Sequence, residues 1–219
     1  MAFRDVVTVA GADARRYLQS QLAQDIDALG VGESRWTLVL APAGRVDALA
    51  RIHRTGEDAY ELDTDPGFGE ALAARLARFK IRVDADIASS ARDVDPAGLV
   101  GWWDRPTTDE GEDARVAAGW PAMGAEIIPG ETIPAEIGIS AVAVSFTKGC
   151  YPGQELVERM DSRGATPPRQ LRVLDVGPGV AVGDPILDAS GAEVGTYTSV
   201  AAGKALGYVR RGAALTSEV

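Results

Sequence analysis

The sequence predicts an α+β fold: a mixed or antiparallel sheet with helices inserted between hairpins, followed by a small all-β unit. Three observations carry that expectation. Apolar periods switch between 2 and 3.6 over residues 1 to about 90, the signature of strands and helices in one unit. The helices interrupt runs of hairpin-linked strands instead of alternating with them one for one, which argues against a doubly wound parallel sheet. From about Leu171 onward the helical period is gone, and short β-rich runs are separated by Gly-Pro, Gly-Asp-Pro and Ser-Gly turns.

Taken in order, the β-branched run Val6-Val7-Thr8-Val9 reads as a strand, and Gly11-Ala12-Asp13 as a turn and helix cap. Ala14, Leu18, Leu22, Ile26 and Leu29 then recur at helical spacing until Gly30 stops the run. Trp36 to Leu40 reads as a buried strand, Pro42-Ala43-Gly44 as a turn, and Val46, Ala48, Ala50 and Ile52 as one face of the returning strand. A turn at Thr55-Gly56-Glu57-Asp58 leads to strand Tyr60-Glu61-Leu62. A helix with Phe68, Leu72, Leu76 and Phe79 inward follows, and then a strand from Ile81 to Ile87. The predicted order is β-α-β-β-β-α-β. Three units are expected: an N-terminal α+β unit over 1–90, a second over 91–170 that opens with an irregular acidic connection, and a small C-terminal β-barrel over 171–219.

Composition narrows the function classes. The 219 residues are 46% hydrophobic and 25% charged, with a mean hydropathy of −0.03, ordinary values for a globular protein. No apolar run approaches a membrane span, and the start Met1-Ala2-Phe3-Arg4-Asp5 is unlike a signal peptide, so a cytoplasmic protein with no membrane partner is expected. A net charge of −10 repels phosphate backbones, so no direct nucleic-acid partner is expected. One cysteine and one histidine make neither an internal disulfide nor a closed zinc site. No tightly bound metal is expected, and any metal or cluster would be shared with a partner. Phosphate-cradling Gly-Lys-Ser/Thr loops, dinucleotide Gly-x-Gly-x-x-Gly patterns and a Ser-His-Asp order are all missing from the sequence.

The segment with the most chemical character is Lys148-Gly149-Cys150-Tyr151-Pro152-Gly153-Gln154-Glu155, a glycine-rich loop running into a helix. Gly149 and Gly153 allow close backbone approach or positive φ, and Pro152 stiffens the turn. A thiol just before a helix N-terminus and two residues from Lys148 would have its thiolate stabilised if exposed; a lone cysteine is equally at home as a small buried hydrophobe. Arg159, Arg163, Arg169 and Arg172 either form a basic pocket for an anionic ligand or are solvated surface charge. His53, on the strand face opposite Ile52, is assigned no role.

The octet Lys-Gly-Cys-Tyr-x-Gly-Gln-Glu, with the trailing Arg159 and Gly164, resembles the signature of the YgfZ family of folate-binding proteins, relatives of the glycine-cleavage T-protein and of iron–sulfur assembly factors. Arg115-Val116-Ala117-Ala118-Gly119-Trp120-Pro121, Ile133-Pro134-Ala135-Glu136, Gly11-x-Asp13-Ala14 and Val194-Gly195-x-x-x-Ser199 extend the resemblance over nearly the whole chain. It implies a T-protein-like fold around a central channel with a small C-terminal β-barrel, and tetrahydrofolate or another folate as ligand. It further implies a role supporting iron–sulfur cluster assembly or repair and, through it, iron–sulfur enzymes including tRNA-modifying ones. Carried over residue by residue, Glu136 falls where T-proteins meet the pterin ring. Tyr151, Gln154, Glu155 and Arg163 fall near the ligand, Cys150 is the functional thiol with Lys148 beside it, and Asp47 lies near the catalytic aspartate of T-proteins. Asp47 is followed by Ala48, where T-proteins have a second acid, and the chain is shorter than typical relatives. Trp102, Trp103 and Trp120 are either pterin-stacking or core residues. Two other readings stand beside the accessory role: a tetrahydrofolate-dependent aminomethyl- or methyltransferase, and a protein-interaction module without ligand.

Overall fold

The computed structural model describes residues 2–94, 100–101, 111–162 and 166–215. The N-terminal part consists of β1 (Ala2–Ala10), α1 (Ala14–Gln21), β2 (Glu33–Leu40), β3 (Val46–Arg54), β4 (Ala59–Thr64), α2 (Gly69–Arg78), β5 (Asp86–Val94) and β6 (Val100–Gly101). These strands form one mixed six-stranded sheet in the order β5-β1-β4-β3-β2-β6, antiparallel throughout except for the parallel pair β2–β6. The predicted order of elements through β5 is observed.

Two boundaries differ from the sequence reading, each for a local reason. Helix α1 stops at Gln21, not at Gly30: Leu22 is extended (ψ 149°) and bridges Val39, and the Ala23 N–H donates to Leu38 O at 3.0 Å. Leu22, Ile26 and Leu29 are nonetheless buried, so the apolar spacing was a true core signal carried by irregular backbone. Strand β5 begins at Asp86, not at Ile81, which is 76% exposed. The segment before β5 instead clamps the β1–α1 corner. Asp13 N donates to Asp84 O and Asp84 N to Asp13 Oδ2, both at 2.9 Å, and the same carboxylate, held below the usual carboxylate range chiefly by that backbone bond, also pairs with Arg16. Gly11 (φ 142°) sits so close that a Cβ there would lie 2.5 Å from Asp84 O.

Strand β3 is central, and the sequence reading gave it one apolar face; Ala48, Leu49, Ala50, Arg51 and Ile52 are all buried, so both faces are covered. The Leu49 N–H on β3 meets Met123 Sδ at 3.3 Å, and the chain beyond β6 continues through α3 (Glu112–Ala117), which packs on the C-terminal strands, a 3-10 turn (Pro134–Glu136), α4 (Ser140–Ala143), which packs on β2, and α5 (Gln154–Ser162). A cluster of buried residues runs from Val7 through Trp36 and Trp120 to Val157 and takes in Tyr208. Within it the rings of Trp36 and Trp120 lie 4.7 Å apart at 54°, a tilted aromatic contact. Beside them Arg51 and Arg4 share the buried carboxylate of Asp63 at 2.8 and 3.0 Å. Among the described residues no helix is long and apolar enough to cross a membrane.

The C-terminal part is a four-stranded antiparallel sheet of β7 (Arg169–Asp175), β8 (Pro185–Leu187), β9 (Glu193–Ala201) and β10 (Lys204–Arg210), ordered β7-β10-β9-β8. Predicted as a barrel, it is open between β7 and β8 among the described residues. Gly195 and Gly207 permit the tight approach of β9 and β10: a Cβ on Gly195 would stand 2.1 Å from Tyr208 O. Leu174, Ile186, Val194 and Val209 form its own small core.

Candidate functional site

The cysteine loop is held by backbone contact with the β2–β3 turn. Gly153 takes φ 81°, and a Cβ there would meet Ala41 O at 2.6 Å and the Cα of Gly44 at 2.9 Å. Gly44, also at φ 81°, faces Leu156 equally closely. Two glycines therefore let the start of α5 lie directly on the hairpin turn, as the sequence anticipated for Gly153. Gly149, anticipated alike, has ordinary φ and open space around its Cα.

Lys148 departs from the sequence expectation. Its ammonium donates to Gln19 O (2.6 Å), Leu22 O (2.6 Å) and Gln24 O (3.1 Å), capping the end of α1 and the turn beyond it. An ammonium has three N–H donors, and all three are engaged, so none is left to hydrogen-bond the Cys150 thiolate. Burial pushes the Lys148 pKa down to about 8, with Asp25 and Asp27 pulling the other way. The same ammonium stands 5.3 Å from the centroid of the Tyr151 ring. Tyr151 is buried and its phenol is pushed up to about 12 by desolvation.

Cys150 itself is exposed, which removes the reading of it as a small core hydrophobe. Phe146, 38% exposed, lies four residues before it. On α5, Gln154 donates to Glu158 at 2.5 Å and Glu155 pairs with Arg159, both partners exposed, so these side chains form pairs along one helix. Arg163, Gly164, Trp102 and Trp103 lie outside the described residues.

Glu136 ends the turn Pro134–Glu136, which packs against both α5 and β7. Only 6% exposed, its carboxylate receives the Arg169 guanidinium on Oε2 at 3.3 Å, while Oε1 takes no partner among the described residues. Arg169 in turn lies 4.1 Å over the Tyr208 ring, whose phenol donates to Glu126 O at 2.6 Å and is pushed above its ordinary range by burial. Of the three described arginines read as part of a possible anion pocket, Arg169 is drawn to Glu136, Arg159 pairs within α5, and Arg172 donates to Gln170 at 3.2 Å.

Asp47 is engaged elsewhere. Its Oδ2 accepts from Arg75 Nε at 2.9 Å, and Arg75 also reaches Leu40 O (2.6 Å) and Gln21 Oε1 (3.3 Å) while stacking 4.3 Å from Phe79. Trp120, 2% exposed against Trp36, is a core residue and has no face free to stack on a ligand. His53 bonds Ser34 Oγ and Glu33 O, both at 3.1 Å.

The sequence reading missed one polar centre. Glu126, fully buried, accepts from Arg115 Nη1 (2.9 Å), Ala122 N (2.9 Å), Thr198 Oγ1 (2.7 Å) and Ser199 Oγ (2.6 Å). Arg115 continues to Trp120 O (2.7 Å), Ser199 Oγ (2.6 Å) and Glu112. This cluster fastens the C-terminal sheet to the rest of the molecule. Arg115 and Ser199 each stand in a segment that carries the family resemblance, but nothing in the sequence joins them and nothing local to Glu126 marks it. Among the described residues no three of His, Cys, Asp and Glu gather as a metal-binding group.

Comparison with known proteins agrees with this architecture. Residues 169–218 match the family model described as CAF17, C-terminal beta-barrel domain. An uncharacterized protein of Haemophilus influenzae is 28% identical over 194 residues, 73% of this chain and 67% of that protein. The human mitochondrial iron–sulfur cluster assembly factor IBA57 is 39% identical over 88 residues, 38% of this chain and 25% of that protein. The crystal structure of the glycine cleavage system aminomethyltransferase T from Bartonella henselae superposes with a TM-score of 0.77 at 18% identity, covering 95% of this chain and 76% of that one; at that identity the likeness is one of fold.

Proposed function

From its membership of the YgfZ/IBA57-like, T-protein-fold family, we propose that the chain is a cytoplasmic folate-binding accessory protein. In this role it supports iron–sulfur cluster assembly or repair and, through that, iron–sulfur enzymes including those that modify tRNA. The observation that carries the ligand reading is Glu136: a buried carboxylate placed between the cysteine-loop helix and β7, with one oxygen on Arg169 and the other unpartnered among the described residues. A pterin presents an amide-like N–H and an amino group side by side, and a carboxylate accepts such a pair with both oxygens. Oε1 is available for this. Oε2 becomes available when the long 3.3 Å contact to the half-exposed Arg169 yields, so the residues fit a pterin edge. Tyr208 and Arg169 would flank it, and the exposed Cys150 thiol would act apart from it, toward a partner protein or a shared cluster.

The transferase reading is weaker. A base at the folate amine needs a free carboxylate, and Asp47 is paired with an arginine whose side chain is only 10% exposed.

Calorimetric titration of the reduced protein with tetrahydrofolate tests the proposal. Saturable binding is expected, weakened about 10- to 100-fold by Glu136→Ala, the cost of a lost hydrogen bond to a charged group, and unchanged by Cys150→Ala. Absence of saturable binding in the wild type, or binding indifferent to Glu136→Ala, would overturn it. The transferase reading survives only if Asp47→Ala abolishes function in cells while Cys150→Ala spares it.

A further inference from the structure

Strand β5 is an edge of the six-stranded sheet. It pairs with β1 over its whole length, Ala2 opposite Val94 through Ala10 opposite Asp86, and its outer side carries no strand among the described residues. Seven of its nine residues are exposed. Edges of this length are ordinarily guarded by a proline, a bulge or a lysine at mid-strand. Here the middle reads Ala88-Ser89-Ser90-Ala91, small and uncharged, with no irregularity in the register to β1.

The charges lie at the two ends, Asp86 at one and Arg92-Asp93 at the other, an arrangement that complements itself. We propose that β5 is a self-association edge, on which a second copy of this chain pairs antiparallel about a two-fold axis at Ser89, making one continuous sheet across the dimer.

The register follows from symmetry and charge. A two-fold axis perpendicular to the sheet keeps each side chain on its own face, so opposed residues must have the same parity, and the axis must pass at a residue rather than between two. Centred on Ser90, Asp86 faces Val94 and no charges meet. Centred on Ala88, Asp86 faces Ser90. Centred on Ser89, Asp86 of each copy faces Arg92 of the other, giving two cross-strand ion pairs, with Ile87 opposite Ala91 and Ala88 opposite Ser90. Asp86 forms no other ion pair among the described residues. Arg92 now holds Glu61 at 2.5 Å and is 48% exposed, so its guanidinium has donors to spare for a second carboxylate. The small side chains at the centre let the two backbones approach to ladder distance.

A single-strand edge gives an interface at the weak end of the protein–protein range, with dissociation constants of roughly 1–100 µM. Sedimentation velocity of the full chain from about 1 to 200 µM should show monomer giving way to dimer across that range. Asp86→Arg and Arg92→Asp should each raise the dissociation constant at least about tenfold, by setting like charges opposite each other, and the double exchange should restore it. A cysteine at the axis faces its own copy, so Ser89→Cys in a Cys150→Ser background should form an inter-chain disulfide on mild oxidation, and Asp86→Cys in the same background should not. A chain that stays monomeric throughout and gives no Ser89→Cys cross-link overturns the proposal. So does a dimer indifferent to Asp86→Arg, which would place the contact elsewhere, and so does binding of a different protein to this edge with no self-association.

Discussion

Arg115→Met tests how the C-terminal sheet is held to the rest of the fold. The substitution keeps much of the side-chain volume but removes the guanidinium from Glu126, Ser199 and Trp120 O. Glu126 is 0% exposed and keeps only the Ala122 N–H and the Thr198 and Ser199 hydroxyls, so a carboxylate is left buried without its counter-charge. Breaking a buried pair from one side costs about 3–5 kcal/mol, a large share of the roughly 5–15 kcal/mol that holds a domain together. With a urea m-value of about 3 kcal/mol/M the unfolding midpoint should fall by about 1–1.7 M, followed by far-ultraviolet circular dichroism. Because the C-terminal sheet keeps a small apolar cluster of its own besides the contact of Tyr208 with the main one, the transition should also broaden or split, the C-terminal sheet melting first. Adding Glu126→Gln removes the stranded charge and should recover at least about 1 kcal/mol. A midpoint shift below about 0.3 M for Arg115→Met, or strict additivity of the two substitutions, would refute the account of this cluster as the tie between the sheets.

Four further outcomes are expected. Gly153→Ala should cost at least about 1–3 kcal/mol in a thermal or urea melt, since φ 81° and a 2.6 Å approach to Ala41 O both oppose a Cβ, whereas Gly149→Ala should be near neutral. The Lys148 pKa is pushed down to about 8 against roughly 10.4 in an unfolded chain, so between those values the unfolded state holds the extra proton; wild-type stability should rise from pH 8 to 10 relative to Lys148→Met, and urea melts at the two pH values read the difference. Trp120→Ala should lose about 3–5 kcal/mol and perturb the near-ultraviolet dichroism of the Trp36 pair, without the selective loss of ligand that a stacking residue would give. The native protein should react with one equivalent of a maleimide or disulfide reagent without denaturant, because its single cysteine is exposed.

What the sequence made legible was what depends on near neighbours. The β-branched run Val6 to Val9, the turn at Pro42-Ala43-Gly44 and the helical face of Leu72 and Leu76 all satisfy their constraints within a few residues, and the structure agrees with each. The α1 boundary was misread because Leu22, Ile26 and Leu29 are as buried as a helical face would be, and burial is what the period reports; the backbone between them is decided by Val39 and Leu38 on β2. Glu126 was invisible for the same reason carried further, its hydroxyl partners lying 72 and 73 residues away.

The cysteine loop shows both kinds of constraint in one octet. Its glycine signal was local and correct for Gly153, but Lys148 was judged by its nearness to Cys150 in sequence, and its bonding partners are 124 to 129 residues distant. That outcome sharpens the chemistry of the segment. Lys148, Tyr151 and Gly153 each meet a demand of the fold: a capped helix end, a buried ring, a backbone contact with a hairpin turn. Gln154 and Glu155 form side-chain pairs within α5. Cys150 meets no packing demand: it is exposed, and another small polar residue would fill its place in the loop equally well. Cys150→Ser, which preserves size and loop geometry, therefore separates the chemistry proposed for the thiol from stability more cleanly than any other substitution in the segment.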